Sequence, residues 1–286
     1  MKQFTFDSLR SDGNILILGC GGGFDIGSAL PLWTHLKQAV GRERQVFIGG
    51  VQEPAIESFA DRSEMRSPNL KTICKLTPDS KISPTVVDHP IFTVRKSPEL
   101  CVARYLDTSV LYISSSESIA MASAELIAFC GENGIQSILT VDTGIDSHVS
   151  SDSTGNLGDP ETDCWTRDLL IGTSSNHIDT YLVNVCVGVE TWISNDVRRE
   201  YDLRKKSEAY RGRWKPESQD AIDFFNVWKC SKKLLEFEPS NTGFVLHQAL
   251  SGIVGPVALP HSCGIDVEIT EATSEYNFFK LDKWDE

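Results

Sequence analysis

The chain has 286 residues, of which 40% are hydrophobic and 23% are charged. These values are typical of a folded globular protein, and the length allows one large α/β domain or two small ones. Forty acidic side chains against 27 basic ones give a formal net charge of −13. Because such a charge repels a polyanion and no basic stripe is present, we expect no nucleic-acid partner.

No run of about 18 apolar residues occurs, and residues 1–12 lack the pattern of a secretory signal. We therefore expect a cytoplasmic protein with no membrane partner. The eight cysteines form no C-x-x-C pair, and most have apolar neighbours, as in Val185-Cys186-Val187. This predicts reduced core thiols. The sequence leaves the oligomeric state open, including a homo-oligomer.

The first fifty residues predict a strand, a glycine-rich turn, a helix and a second strand. Asn14–Gly19 is a short apolar run, and apolar side chains at spacings of three and four from Ile26 to Val40 indicate a helix. Residues 45–50 supply the second strand. Such a βαβ unit implies a parallel sheet.

The same alternation returns later in the chain. It predicts strands over 110–114, 137–142 and 180–189, and helices over 117–132 and 161–172. Residues 53–98 are rich in Pro and Ser, and apart from β-like pieces near 71–76 and 85–87 the sequence does not determine their fold.

We expect a single α/β domain over residues 1–286, with 190–286 as a mainly helical C-terminal extension. Within this extension, residues 252–259 and 266–269 are candidates for one or two late strands. The predicted fold class is Rossmann-like, a mostly parallel sheet with helices on both faces.

The glycine-rich turn is the first candidate site. Glycines let the backbone approach a ligand, and unpaired N–H groups at a helix start bind anions. This predicts a phosphate site on Gly19, Gly21, Gly22, Gly23, Gly27 and Ser28. The dinucleotide fingerprint would need glycine at Phe24, and no Gly-Lys-Ser/Thr of a P-loop follows. A turn without a ligand is the alternative, because glycines also serve close strand–helix packing.

Asp25 follows this turn at the start of the predicted helix. A carboxylate beside a phosphate would repel it. We therefore expect Asp25 to contact a hydroxyl, a base edge or a metal ion, unless it only caps the helix.

An acidic loop begins where the strand over 137–142 ends. Asp142 and Asp146 lie four residues apart across Gly144, which we expect to contact the ligand, and His148 is the histidine that we place near chemistry. With Asp25, these carboxylates are candidates to orient ribose hydroxyls, activate a water or hold Mg²⁺. A loop that only satisfies its own backbone is the alternative. Ligands of open α/β sheets lie beyond the carboxyl ends of strands, so we expect loop and turn to share one crevice.

The chain resembles the domain of unknown function 1152 family of prokaryotic proteins. The resemblance rests on Gly19-x-Gly21-Gly22-Gly23-x-Asp25, on Asp142-x-Gly144-x-Asp146-Ser147, and on Leu157-Gly158-x-Pro160-x-x-Asp163. It is strongest over 14–50 and 105–190 and implies a Rossmann-like domain, without a known reaction. Ile145 and the stretch 150–154 depart from the family pattern.

These features predict an enzyme that binds a nucleotide or phosphorylated small molecule at the turn and uses the acidic loop for hydrolysis or group transfer, with Mg²⁺ as a candidate cofactor. One alternative is an NAD(P)-dependent oxidoreductase with Glu53 on the ribose hydroxyls, which the failed fingerprint disfavours. Another is a non-catalytic nucleotide sensor or assembly subunit.

Overall fold

The computed structural model describes most of the chain. The residues that it describes are 2–9, 12–21, 24–41, 43–52, 73–76, 98–115, 118–148, 160–174, 177–189, 195–235, 240–262 and 264–284. The predictions made for 53–72, 77–97 and 149–159 concern residues outside these ranges, as do those for Gly22 and Gly23 of the predicted turn.

Strands and helices alternate along the described chain. The strands are β1 (Asn14–Gly19), β2 (Val46–Gln52), β3 (Ile73–Leu76), β4 (Val110–Ser114), β5 (Ile135–Asp142), β6 (Asp179–Asn184), β7 (Tyr210–Trp214), β8 (Gly255–Ala258), β9 (Asp266–Ile269) and β10 (Tyr276–Lys280). The α-helices are α1 (Asp25–Ala39), α2 (Pro98–Leu106), α3 (Ile119–Glu132), α4 (Pro160–Ser174), α5 (Asn195–Arg204), α6 (Ile222–Leu235) and α7 (Asn241–Leu250). Short 3₁₀ helices cover Phe6–Ser8, Asp146–His148 and Leu281–Lys283.

The main sheet has the order β3, β4, β2, β1, β5, β6, β10, β7. The five strands β4, β2, β1, β5 and β6 are parallel, whereas β3 and β10 are antiparallel to their neighbours. The strands β8 and β9 form a separate antiparallel pair. The predicted Rossmann-like class, a mostly parallel sheet within an α/β fold, is therefore confirmed.

Helices cover both faces of this sheet, and strand β1 shows how the sequence specifies them. Ile15 and Ile17 join a core with side chains of α1, α2, α6 and α7. Leu16 and Leu18 point the other way and join a core with α3, α4 and α5. Because successive side chains of a strand face opposite sides, a continuous apolar run is what a strand covered on both faces requires.

The C-terminal part differs from the expected mainly helical extension. Residues 190–286 do contain α5, α6 and α7, but they also contribute β7 and β10 to the main sheet. The sequence of β7, Tyr-Arg-Gly-Arg-Trp, is short and contains two arginines and a glycine, and β10 lies inside the sheet because β6 and β7 pair with it on both edges. These two strands form because they pair with segments that are distant in sequence, and the local sequence pattern therefore did not predict them.

The strand predicted over 180–189 ends earlier, at Asn184. Beyond it Cys186 has a φ of +60°, a left-handed conformation that interrupts an extended strand. Val185 and Val189, which suggested a longer strand, are buried on either side of a turn at residues 187–188 instead. Of the cysteine side chains described, Cys230 is exposed and the five others are buried, all with free thiols. No helix in the described part of the chain is long and apolar enough to cross a membrane.

We predict that Ile17→Ala lowers the free energy of unfolding by about 2–5 kcal/mol, because Ile17 is fully buried in the central strand and alanine leaves a cavity. The matched change Ile222→Ala, at a side chain that is 54% exposed, should cost no more than about 0.5 kcal/mol. Urea denaturation of both variants measures the difference. Equal losses would contradict the assigned core.

Candidate functional site

Close packing explains the first glycine of the turn. An ideal Cβ on Gly19 would lie 2.4 Å from the backbone nitrogen of Ile26, so a side chain at this position would collide with the start of α1. The end of strand β1 therefore packs directly against the start of α1. This contact places the first backbone N–H groups of α1 at the carboxyl end of the sheet.

Asp25 connects the turn to the acidic loop. It is the first residue of α1 and is 8% exposed. Its Oδ2 accepts a hydrogen bond from the Gly21 N–H at 3.1 Å, and its Oδ1 accepts one from the Thr143 N–H at 3.3 Å. The two candidate segments, far apart in sequence, thus meet through one carboxylate.

Asp142, the last residue of β5, is held by polar side chains. Its Oδ2 accepts hydrogen bonds from the Ser147 hydroxyl and, at 2.8 Å, from Nδ2 of Asn184. The same amide nitrogen donates to the carbonyl oxygen of Gly144 at 2.9 Å. Asn184 ends β6, the next strand of the sheet, and was not among the predicted site residues. Its position at a strand end beside β5 was the available signal.

Two further carboxylates lie beside Asp142. Asp146 opens the 3₁₀ helix Asp146–His148, and Asp163 lies in the first turn of α4. Their side chains are hydrogen-bonded to each other and are 7% and 6% exposed. One oxygen from each of Asp142, Asp146 and Asp163 lies within 4.8 Å of the others. We call these three residues the acidic cluster.

Asp163 was not among the predicted site residues, although it belongs to one of the motifs on which the family resemblance rests. Pro160 is the first residue of α4, as expected from its fixed φ, and Asp163 follows three residues later. A Cβ on Gly21 would lie 1.8 Å from Oδ1 of Asp163. Gly21 therefore leaves space for this carboxylate, which lies between the turn and Asp146.

Burial dominates the electrostatics of these groups. Burial raises the pKa of Asp25 to about 7; hydrogen bonding from Thr143 and Gly21 opposes this increase, and the charge of Asp146 adds to it. Burial, followed by the charge of Asp146, also raises the pKa values of Asp142 and Asp163 well above their usual range. Carboxylates this close do not all ionise easily, so bound protons or a cation must offset their charges.

His148 lies behind Asp142. Its Nε2 is 2.8 Å from Oδ1 of Asn184, and because the amide oxygen can only accept, Nε2 carries the proton in this arrangement. The rings of Tyr201, Phe279 and Trp284 surround the imidazole at centroid distances of 5.1, 5.1 and 5.0 Å. Burial lowers the pKa of His148 to about 3. The neutral imidazole orients Asn184, which in turn holds Asp142.

The remaining predicted residues make packing contacts. A Cβ on Gly27 would lie 2.0 Å from the Phe24 ring. Ser28 is fully buried, and its carbonyl oxygen accepts a hydrogen bond from the Tyr276 hydroxyl at 2.7 Å. Gly27 and Ser28 thus anchor α1 in the core.

Comparison with known proteins adds no family or relative: no family model matches the chain, and no curated protein matches it. The resemblance to the domain of unknown function 1152 family stays an expectation from the motifs.

We predict that His148 makes the protein less stable in mild acid. The unfolded chain binds a proton at this histidine near pH 6.5, whereas the folded chain does so only near pH 3. The contribution of His148 to the free energy of unfolding is thus fully present above about pH 6.5. It is lost as the pH falls toward 3, with a slope approaching about 1.4 kcal/mol per pH unit. The free energy of unfolding of the wild type, minus that of His148→Gln, should fall by this slope between pH 6 and pH 4 in denaturant titrations. A difference that stays constant with pH would contradict the buried neutral imidazole.

Proposed function

We propose that this chain is an enzyme that binds a nucleotide or another phosphorylated small molecule at the turn between β1 and α1, and that the acidic loop after β5 serves hydrolysis or group transfer. One observation carries the proposal: the turn and the buried carboxylates meet at the carboxyl ends of β1 and β5, joined through Asp25. Such a convergence of main-chain donors and acid/base groups is what a reaction on a phosphorylated ligand needs.

The strand order supports a ligand at this point. From β1 the chain continues to β2 and β4 on one side of the sheet, and from β5 it continues to β6 on the other. The helices α1 and α2 cover one face and α3 and α4 the opposite one. Open α/β sheets bind their ligands in the crevice formed where the strand order reverses, outside the carboxyl ends of the strands.

The start of α1 is the proposed phosphate-binding element. The N–H groups of Asp25, Ile26 and Gly27 belong to the first turn, where no earlier carbonyl of the helix accepts from them. The N–H of Gly21 is bonded to Asp25, so it does not belong to the proposed phosphate donors. The partial positive charge of the helix N-terminus adds to the attraction.

The carboxylates divide the remaining tasks. Asp142 is fixed by Ser147 and Asn184, which suits a group that orients a ligand. Asp146 and Asp163 share a hydrogen bond between their side chains, so one of them holds a proton. With a cation bound in place of this proton, a carboxylate oxygen of the pair that does not contact the cation would accept a proton from an attacking water.

Charge repulsion limits which ligand states bind. A phosphate about 4 Å from a carboxylate is repelled by about 4 kcal/mol at an effective dielectric constant of about 20. Several carboxylates lie beside the turn, so a phosphorylated ligand binds here only when a cation or protons offset this charge. Binding should therefore depend on Mg²⁺.

We predict that the wild type binds adenosine or guanosine di- or triphosphates in the presence of Mg²⁺ and releases phosphate from the triphosphates. Asp146→Asn should lower turnover by about 100-fold, because the amide does not transfer the proton. The matched change Asp202→Asn, at an exposed acidic residue of α5, should leave turnover unchanged. Calorimetry with and without Mg²⁺, followed by a phosphate-release assay, measures both steps, and circular dichroism checks that the variants fold.

The alternatives have their own signatures in the same experiment. Failure of all nucleotides to bind, or full turnover in Asp146→Asn, would refute the proposed enzyme. A nucleotide that raises the melting temperature and is recovered intact after long incubation would instead identify a sensor. Nicotinamide absorbance in the purified protein would identify an oxidoreductase.

A further inference from the structure

We infer that the acidic cluster, Asp142, Asp146 and Asp163, is a binding site for one divalent cation of the Mg²⁺ and Mn²⁺ class. The role of this cation rests on the proposed function, because it would offset the charge beside the phosphate. Its binding can nevertheless be tested without any phosphorylated ligand. The set differs from the one expected from sequence, since Asp163 replaces Asp25.

The spacing of the carboxylates fits one ion. Mg²⁺ binds oxygen ligands at about 2.0–2.1 Å in octahedral geometry, so adjacent ligands are about 3 Å apart and opposite ones about 4.2 Å apart. One oxygen from each of the three residues lies within 4.8 Å of the others. Small side-chain movements therefore bring all three to one ion. The residues come from β5, the 3₁₀ helix and α4, so a cation would connect three elements of the fold.

A second observation points to a ligand between the cluster and the turn. Oδ1 of Asp163 is buried and accepts no hydrogen bond from any residue that the structure describes. The side chain as a whole is only 6% exposed and lies between Gly21 and Asp146. A buried carboxylate oxygen without a donor is costly, and a cation supplies the missing interaction.

Asp25 does not belong to the ligand set. Both of its oxygens already accept backbone N–H groups, from Gly21 and Thr143. Binding a cation in the plane of these oxygens would compete with both hydrogen bonds. Asp25 is thus a positioning residue, which holds the turn and the loop in the relation that the cluster needs.

The donor chemistry favours a hard cation. The cluster offers carboxylate oxygens, which suit Mg²⁺, Mn²⁺ or Ca²⁺ better than Zn²⁺. The nearby softer donors have other contacts: the Cys20 thiol is 3.8 Å from the carbonyl oxygen of Asp163, and Nε2 of His148 binds Asn184. Mg²⁺ retains several waters and is commonly shared with substrate phosphates, which agrees with a site beside the proposed phosphate-binding turn.

The test is Mn²⁺ binding to the full chain after treatment with EDTA, followed by electron paramagnetic resonance, with Mg²⁺ as the competitor. We expect one Mn²⁺ per chain, displaced by Mg²⁺. Asp163→Asn should weaken binding by about tenfold or more. The control is Asp168→Asn on the same helix α4, where a 41% exposed carboxylate pairs with Arg167, and this change should leave binding within about twofold of the wild type.

A second variant keeps the test decisive if Asp163→Asn does not fold. Gly21→Ala places a methyl group 1.8 Å from the present position of Asp163 Oδ1, so it must displace this carboxylate and weaken Mn²⁺ binding without removing any charge. Anomalous diffraction from a crystal soaked in Mn²⁺ locates the ion in the wild type directly.

Three outcomes would overturn the inference: no Mn²⁺ bound by the wild type at about 1 mM, bound Mn²⁺ that Mg²⁺ does not displace, or affinity retained in both Asp163→Asn and Gly21→Ala. Failure of the proposed function gives a different result. A wild type that binds Mn²⁺ through Asp163 but binds no nucleotide would support the cation site and refute the nucleotide.

Discussion

The hydrogen bonds of the Asp25 carboxylate are the constraint on which the candidate site depends. One carboxylate accepts N–H groups from Gly21 on one segment and Thr143 on another, and this fixes the distance between the β1–α1 turn and the loop after β5. Charge-assisted hydrogen bonds of this kind are stronger than neutral ones. Burial disfavours the charge of Asp25, and the two N–H groups offset part of this penalty because they stabilise the ionised form.

A fold tolerates buried carboxylates only when each finds compensation, and here the compensation differs from residue to residue. Asp25 has backbone N–H groups, Asp142 has a hydroxyl and an amide, and Asp146 and Asp163 have each other. Side-chain and backbone donors thus satisfy the first two, whereas the last two depend on a shared proton. This difference locates the place where a cation would gain most, because an ion replaces a proton more readily than it replaces a formed network of donors.

A second layer holds the first in position. Asn184 binds Asp142, His148 binds Asn184, and aromatic rings of α5, β10 and the C-terminal segment enclose the imidazole. The guanidinium of Arg204 lies 4.5 Å from the ring centre of Trp284. Functional side chains need such support, because a small loss of orientation weakens ligand binding considerably. The late strand β10 therefore contributes to the site although it carries none of the clustered carboxylates.

The sequence by itself determined the parallel core of this protein and the two segments that carry its polar residues. Apolar runs buried on both faces, such as Asn14–Gly19, and the 3.6-residue periodicity of α1 are local signals, and local signals survive without knowledge of the fold. Only the tertiary structure placed β7 and β10 in the sheet and brought Asp163 and Asn184 to Asp142, because strand pairing and packing join residues that are distant in sequence. For the same reason, the sequence predicted a role in the chemistry for His148, whereas in the structure His148 is buried and orients Asn184. Its surroundings include residues as distant in sequence as Trp284, which no local pattern reveals.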